Sequence, residues 1–240
     1  MFEPRTLTSM ILTAALGWAG TAAGQTAPAA PEKEIGDFVR QVFIHGVPYE
    51  EASRYGPAVV PELIALLEDP AEAPHAGNIA IVLGILGDER AAEPLITFIE
   101  GAAGQHLTPR AYRARTSAIL ALGYLIHKSG SERALAFLVD GLDRQAWLRA
   151  AKWTSPFHDR AAERNEALRE AAVLGLALSG HPAAAEALRA EGTALARSPS
   201  AAADRLRGHL EAALGEHAKI ARQGLETYDR TLRLQIESSP

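Results

Sequence analysis

The sequence contains no cysteine, and its 240 residues include 24 Lys and Arg against 29 Asp and Glu, which gives a formal net charge of −5. Without cysteine the chain has no disulfide, no thiolate nucleophile and no lipoprotein attachment residue, so packing alone must hold the fold together. The acidic balance disfavours nucleic-acid binding, because domains that bind nucleic acids usually present a basic face. We therefore expect no nucleic-acid partner.

Aromatic residues are also scarce, at 6% of the chain, and no stretch of useful length alternates apolar and polar residues as a half-buried strand does. The sequence consists instead of Ala-rich and Leu-rich segments with few β-branched runs, a composition that favours helices. The predicted fold class is all-α.

The apolar run near the N-terminus, residues 7–19, is too short to cross a hydrocarbon layer of about 30 Å at about 1.5 Å per residue. Small residues follow it at Ala22, Ala23 and Gly24, as signal peptidase requires. We predict a signal peptide over residues 1–24, a flexible Pro- and Ala-rich leader over residues 25–33, and a periplasmic or secreted mature chain without a transmembrane span. The alternative is an uncleaved membrane anchor.

Residues 76–101 show the pattern of two amphipathic helices joined by a short turn. Gly87 ends the first helix, and Asp88 can cap the second by accepting a hydrogen bond from a free backbone amide. Two such helices must pack antiparallel, and a neighbouring pair has to cover the apolar edge that remains. The apolar stripes are Ile79, Val82, Leu83 and Leu86 in the first helix and Ala91, Leu95 and Ile99 in the second.

The same pattern recurs at residues 49–70, 115–142 and 167–191. A Leu-Gly dipeptide stands in three of the first helices, as Leu83-Gly84, Leu122-Gly123 and Leu174-Gly175. The spacings between the second helices are 32, 43 and 50 residues, which bracket the period of two-helix repeats. These second helices align on Leu63, Leu95, Leu138 and Leu188.

The phrases "LGILGDERAAEPLITFI" and "RTSAILALG" resemble the short HEAT-like repeats of the phycobilin-lyase type. The strings "FIHGVPYEEASRYGP" and "HAKIARQGLETYDR" resemble those of exported bacterial HEAT-repeat proteins of unassigned function. Arg115 stands at the arginine position of the repeat, whereas Ala76 and Ala167 stand there in the flanking copies. The resemblance implies a right-handed α-solenoid of about four helix pairs over residues 34–240, with capping helices at both ends.

The two ends of the solenoid depart from the repeat. The apolar spacing predicts an N-terminal helix over residues 34–45 and a short helix over residues 49–55. Residues 198–237 are predicted to form C-terminal capping helices that start at Ser198, either as one helix or as two with a bend near Gly215. The alternative is a coiled-coil dimerisation arm.

No pattern of catalytic or metal-binding residues is found. The eight histidines are scattered without a helical pair of metal ligands, and no Gly-rich phosphate loop is present. His158-Asp159 could suggest a general base with its orienting carboxylate, but Asp159 is better interpreted as the N-cap of the following helix. We therefore predict no catalytic residues, no metal and no cofactor.

Two insertions, residues 101–117 and 143–166, carry the residue types of interaction hot spots. Both tryptophans of the mature chain lie in the second insertion, with cations between them. The alternative is that the indoles fold inward and fill the gap that the insertion makes. The predicted partner-binding residues are Trp147, Arg149, Lys152, Trp153, Phe157, His158, Arg110, Tyr112 and Arg113.

The function predicted from these features is a non-enzymatic scaffold or adaptor of the bacterial cell envelope that binds a protein or peptide partner, as a monomer or weak homodimer. The resemblance leaves two alternatives. One is an enzyme or lyase-like subunit that acts on a protein-bound ligand, as phycobilin lyases do. The other is a nucleic-acid-handling protein of the alkyl-purine glycosylase type, which both the acidic charge and the export signal oppose.

Overall fold

The structure, a computed structural model, describes residues 31–197 and 200–237. Over these residues the regular structure is helical, apart from an isolated β-bridge between His106 and Thr154. The predicted all-α class is therefore confirmed. The predicted signal peptide and most of the predicted leader lie outside the described residues.

The described residues also include three short 3-10 turns, at residues 57–59, 70–72 and 89–91. The helices are α1 (Ile35–Val39), α2 (Tyr49–Ala52), α3 (Val60–Glu68), α4 (Ala76–Leu86), α5 (Ala92–Glu100), α6 (Pro109–Ser129), α7 (Glu132–Asp140), α8 (Ala146–Ala150), α9 (Ala161–Ser179), α10 (Pro182–Ala196), α11 (Ala201–Gln223) and α12 (Leu225–Glu237).

The longer helices form two layers. In layer A, α4 packs against α6, α6 against α9, and α9 against α11. In layer B, α3, α5, α7 and α10 pack in the same order, and each also lies against helices of layer A. The apolar core lies between the layers, where the four aligned leucines, Leu63, Leu95, Leu138 and Leu188, are fully buried.

The layer A helices α4, α6 and α9 each end at a glycine in the left-handed conformation, where the turn to layer B begins. Gly87 has φ 66°, Gly130 has φ 70° and Gly180 has φ 57°, a region that side chains other than glycine rarely adopt. Asp88 then accepts a hydrogen bond from the backbone N–H of Arg90 at 3.0 Å. The predicted role of Gly87 is confirmed, whereas Asp88 caps the 3-10 turn at residues 89–91 that precedes α5, and α5 itself has no side-chain cap.

Two of the Leu-Gly glycines lie where neighbouring helices of layer A touch backbone to backbone. A Cβ on Gly84 would stand 2.4 Å from the carbonyl oxygen of Ala121, and a Cβ on Gly123 would stand 2.2 Å from that of Gly175. Because real Cβ atoms essentially never approach so closely, glycine is what allows α4 to meet α6 and α6 to meet α9 at these points.

The third Leu-Gly dipeptide is not equivalent to the other two. Leu83 and Leu122 are fully buried, whereas Leu174 is 54% exposed. The dipeptides stand at different distances from the glycine that ends each helix, so the same two letters point in different directions around the helix axis. The predicted equivalence is wrong at Leu174, which lies outside the core.

The N-terminal helix is shorter than predicted, since α1 ends at Val39 and not near residue 45. The side-chain amide of Asn78 donates to the backbone carbonyls of Val39 at 2.9 Å and Gln41 at 3.0 Å. These carbonyls are thereby satisfied without another helical turn. Val42 and Ile44, which were expected on this helix, are exposed.

The C-terminal segment forms two helices that break at Gly224, with φ 78°, and not near Gly215. Ser200 caps α11, and the predicted start at Ser198 lies outside the described residues. Helix α11 packs on α9 and α10, and α12 contacts α2. The described part of this segment therefore lies against the domain and does not project as a coiled-coil arm.

Helix α12 crosses from α11 back to the first helices of the domain. The Arg233 guanidinium donates to the carbonyl of Val47 at 2.7 Å, and the Arg230 guanidinium lies 3.9 Å from the Glu50 carboxylate. At the other end of α12, the backbone N–H of Leu225 donates to the His127 ring at 3.4 Å. Polar contacts thus join α12 to the rest of the domain near both of its ends, and Leu225 packs in the core.

Candidate functional site

The two insertions contact each other. The backbone N–H of Gly104 donates to the carbonyl of Lys152 at 2.9 Å, and that of Thr154 donates to the carbonyl of Gln105 at 2.9 Å. The remainder of each insertion extends a helix of layer A, because α6 begins at Pro109 and α9 at Ala161. The insertions therefore form one structural element and not two independent loops.

Trp153 lies in the centre of this element and is fully buried. Its indole N–H donates to the carbonyl of Ile99 at 2.8 Å. The guanidinium carbons of Arg115 and Arg164 lie 5.8 Å and 5.4 Å from the ring centroid, within the range of cation–π attraction. Tyr112 completes the surroundings with an edge-on contact at 5.8 Å.

Trp147 is buried as well, with 1% of its surface exposed. Its indole N–H donates to the carbonyl of Gly141 at 2.9 Å, and its ring meets Phe137 edge-on at 5.8 Å. The hypothesis that both indoles are partly exposed is therefore wrong, and the inward-folding alternative is confirmed. Backbone carbonyls satisfy both indole N–H groups, which removes the cost of burying them.

Arg115 and Arg164 are buried cations that pair with neutral groups. Arg115 donates to the carbonyl of Phe98 and to Gln105, while Arg164 donates to the carbonyl of Trp153 and to Asn165. Burial lowers the pKa of the Arg115 guanidinium to about 10 and also lowers the pKa of Arg164. Arg115 thus still carries its charge at neutral pH.

Four of the predicted residues come together next to Trp153, and Arg110 lies one helical turn before Arg113 on α6; we call these five residues the aromatic–cationic patch. The ring of Phe157 lies 5.3 Å from that of Tyr112, and His158 lies 5.8 Å from Tyr112. Arg113 lies over Phe157 at 5.7 Å, and Phe157 is half-exposed. The patch comprises Arg110, Tyr112, Arg113, Phe157 and His158.

Arg149 and Lys152 lie elsewhere, next to Glu100. The Lys152 ammonium is 3.8 Å from the Glu100 carboxylate, and Arg149 lines a mixed polar and apolar cavity of about 230 Å³ together with Glu100 and Trp147. The nine predicted residues therefore do not form a single surface. The partner-binding role of the exposed ones stays a prediction.

Asp159 does not cap α9, contrary to the prediction. The helix begins at Ala161 with Arg160 at the N-cap position, and no side chain caps it. The Arg160 guanidinium pairs instead with Glu163 in the first turn. The His158 ring bonds to the Ser155 hydroxyl at 2.9 Å and is thus oriented by a serine and not by the neighbouring carboxylate.

The sequence reasoning missed an apolar groove of about 380 Å³ between α6, α9 and α11. Aliphatic side chains form most of its lining, which also includes Tyr228 of α12. Leu174, the exposed leucine of the third Leu-Gly dipeptide, lies in this lining. The groove also contains Leu120, Val173, Leu178, Ala213 and Ile220.

The polar groups at the rim of the groove are paired with each other. The Glu170 carboxylate lies 3.5 Å from the His209 ring, and the Lys219 ammonium lies 2.8 Å from Glu216. Glu216 also bonds to the Tyr228 hydroxyl, and burial followed by this bond raises the pKa of Tyr228. Both rim carboxylates therefore have a polar partner within the chain.

The patch and the groove share one side of α6. Arg113 belongs to the patch and Leu120 to the groove, and the seven residues between their positions amount to two turns, about 10 Å along a helix, so both lie on the same side. Tyr124, four residues further, contacts Tyr49 near α12, with ring centroids 6.1 Å apart. Since residues four apart lie on the same side of a helix, these side chains form one continuous line.

Comparison with family models, curated proteins and solved structures gives no match to this chain. Among the described residues no helix has both the length and the apolar character needed to cross a bilayer. Within the same ranges, no three His, Asp or Glu side chains lie close enough together to hold a metal ion.

Proposed function

We propose that this protein is a non-enzymatic scaffold of the bacterial cell envelope that holds a protein partner in the apolar groove between α6, α9 and α11. The observation that carries the proposal is the groove itself, an open apolar cavity of about 380 Å³ with the exposed side chain of Leu174 in its lining. Exposed apolar surface of this kind is typical of ligand-binding and protein-binding sites.

A HEAT-like right-handed solenoid is the architecture that we propose for the scaffold. The ordered packing in each of the two layers and the glycine-ended turns between them support it. Such solenoids stack similar helix pairs and use their long faces to hold other chains. Arg115, at the arginine position of the repeat, links α6 to the end of α5 through the carbonyl of Phe98.

Removal of the apolar groove surface from water would favour binding of a partner. Each Å² of apolar surface removed from water contributes about 25 cal/mol, so a chain that covers the groove gains from every aliphatic side chain it buries. The rim carboxylates Glu170 and Glu216 already have partners within the chain, and they are therefore less costly to cover than unpaired charges.

Cross-linking from within the groove tests this function. Because the chain has no cysteine, Ala212→Cys, at the exposed edge of the groove, can carry a single photo-cross-linker. Irradiation in envelope extract should yield a discrete cross-linked partner that is lost with Leu174→Asp.

Leu148→Asp is the matched control, because Leu148 on α8 is 53% exposed but lies outside the groove. It should keep the cross-link, and circular dichroism should show that both aspartate variants are folded. A cross-link that Leu174→Asp and Leu148→Asp affect equally, or no cross-link at all, would contradict the proposed function.

The envelope location has its own test. N-terminal sequencing of the protein from the producing cell should find Gln25 as the first residue, because signal peptidase cuts after the small residues Ala22, Ala23 and Gly24. Recovery of a chain that begins at Met1 in the cytosol would contradict export.

A further inference from the structure

We infer that the segment held in the apolar groove is an amphipathic helix with acidic side chains about two helical turns from its apolar residues, where they meet Arg110 and Arg113. The inference rests on the proposed function and adds the chemical class of the partner. The juxtaposition that carries it is an apolar groove whose rim carboxylates already have partners within the chain, two helical turns from a patch of cations that lack carboxylate partners.

The patch contains two exposed arginines, Arg110 and Arg113. Within residues 31–197 and 200–237, neither Arg110 nor Arg113 lies within ion-pair distance of a carboxylate, and Arg113 stacks over Phe157. The nearest acidic residues in sequence to the loop side of the patch are Asp159, which is exposed, and Glu163, which pairs with Arg160. The patch therefore keeps a positive charge on a chain whose formal net charge is −5.

Two buried arginines lie behind the patch. Arg115 and Arg164 lie on either side of Trp153, and neutral oxygens accept their hydrogen bonds. Their charges are therefore not cancelled by a direct carboxylate contact. A carboxylate placed on Arg110 and Arg113 would also interact favourably with these two buried cations, because the interior screens charges less than water does.

The shape of the groove suits a helix. Helices α9 and α11, which supply most of the groove lining, run parallel, since Glu170 lies 3.5 Å from His209 and, ten residues further along α9, a Cβ on Gly180 would stand 3.1 Å from the Ile220 side chain. A groove along two parallel helices fits a third helix, which presents its apolar side chains at one-turn intervals. The patch lies about two turns from the groove, so one helix can reach both.

A partner protein fits these features better than an anionic lipid surface. Polybasic segments that bind anionic bilayers use several cations on a flat or flexible surface. Here two exposed arginines lie beside a concave apolar site, and the net charge of −5 opposes approach to an anionic bilayer.

Two synthetic peptides test the inference. Both carry leucines at positions i, i+4 and i+7 of an amphipathic helix; one has two glutamates about two turns beyond the leucines, and the other has glutamines there. Binding is measured with a solvatochromic dye on Ala212→Cys in the full chain. The glutamate peptide should bind about tenfold more tightly than the glutamine peptide, and the difference should shrink at high salt.

Charge reversal identifies where the acidic side chains bind. Arg110→Glu with Arg113→Glu should remove the preference for the glutamate peptide, whereas Leu174→Asp should weaken both peptides. The matched control is the double variant Arg189→Glu and Arg197→Glu. It makes the same charge change at two exposed residues, one within α10 and one at its C-terminal end. This control should keep the preference.

Equal binding of the two peptides would overturn the inference and leave the scaffold proposal standing on its cross-link. Binding of neither peptide would overturn it as well, and so would a glutamate preference that survives the reversal at Arg110 and Arg113. Binding to phosphatidylglycerol vesicles that depends on these two arginines, without binding of the peptide, would show that the patch meets a membrane surface.

Discussion

Helix α9 contacts its two layer A neighbours in different ways. On one side Gly123 of α6 touches Gly175 of α9 backbone to backbone, and a Cβ at Gly123 would overlap the neighbouring carbonyl. On the other side α11 approaches α9 in the region of Val173, Ala177 and Ala213, which also line the open groove. The α6–α9 contact is thus closed, whereas an open cavity remains where α11 joins the layer.

The position of a glycine relative to the helix contact explains this difference better than the number of glycines does. Helix α11 contains Gly208 and Gly215, but a Cβ added at either position would meet nothing within 4 Å. These glycines face open space, so they do not bring α11 closer to its neighbour. A glycine closes a helix contact only when it lies at the crossing point.

Helix α12, which follows α11 on the open side, has few strong attachments beyond its first turns. The Arg230–Glu50 ion pair of α12 is exposed on both sides, and exposed pairs contribute little to stability. Leu232 and Leu234 of the same helix are exposed. We therefore expect the part of the groove lined by Tyr228 to open more easily than the α4–α6–α9 core.

The largest expected effect on stability is at Trp153, on the buried side of the insertion element. Trp153→Ala removes a fully buried indole and its hydrogen bond to Ile99, and it leaves Arg115 and Arg164 without the ring between them. It should cost about 3 to 5 kcal/mol of unfolding free energy. Chemical denaturation measures this loss, and the tryptophan emission of the parent protein should already be blue-shifted without a partner.

Phe157→Ala provides the comparison, because Phe157 belongs to the same insertion but is half-exposed. It should cost much less stability than Trp153→Ala. A similar loss for the two variants would show that the insertion has no buried and exposed sides.

The next largest effect compares two leucines. Leu95 is fully buried between the layers, and Leu95→Ala should cost about 2 to 5 kcal/mol because it leaves a cavity in the core. Leu174→Ala should cost clearly less, because this side chain is already 54% exposed. Equal shifts of the thermal midpoint would mean that Leu174 is a core residue and that the groove is closed in solution.

These two leucines also show how far the sequence could predict the structure. Leu95 was correctly assigned to the core, since apolar spacing within one helix depends only on local geometry. Leu174 was paired with Leu83 and Leu122 through the letters that follow them, and the rotation of α9 around its axis is set by its neighbours. The groove requires residues from α6, α9, α11 and α12, so no local pattern could have revealed it.

The insertion element shows the same limit. Four of the predicted residues do contact one another in the aromatic–cationic patch. The direction of the indoles could not be predicted, because it depends on carbonyl acceptors at Ile99 and Gly141, outside the stretch that holds the tryptophans. Composition predicted an interaction surface, and tertiary contacts decided which of its side chains reach solvent.

A smaller effect is expected at the closed helix contact. Gly123→Ala places a Cβ 2.2 Å from the carbonyl oxygen of Gly175, so α6 and α9 must move apart at a cost of about 1 to 3 kcal/mol. Gly77→Ala is the matched control on α4, because its Cβ would meet the Ala114 backbone at an ordinary 3.6 Å. Thermal unfolding should show a clear loss for Gly123→Ala alone, and equal behaviour of the two variants would mean that the contact is looser than described.

The smallest expected effect has the opposite sign and lies on the open side. Gly215→Ala adds a side chain that meets nothing within 4 Å in the interior of α11, so the gain in helix propensity should stabilise the protein by up to about 1 kcal/mol. Gly224→Ala also meets nothing within 4 Å, but Gly224 has φ 78°, where alanine is strained, so this variant should be less stable than the parent. Denaturant midpoints distinguish the two, and a loss of stability for Gly215→Ala would mean that α11 packs more closely at Gly215 than the open space around it indicates.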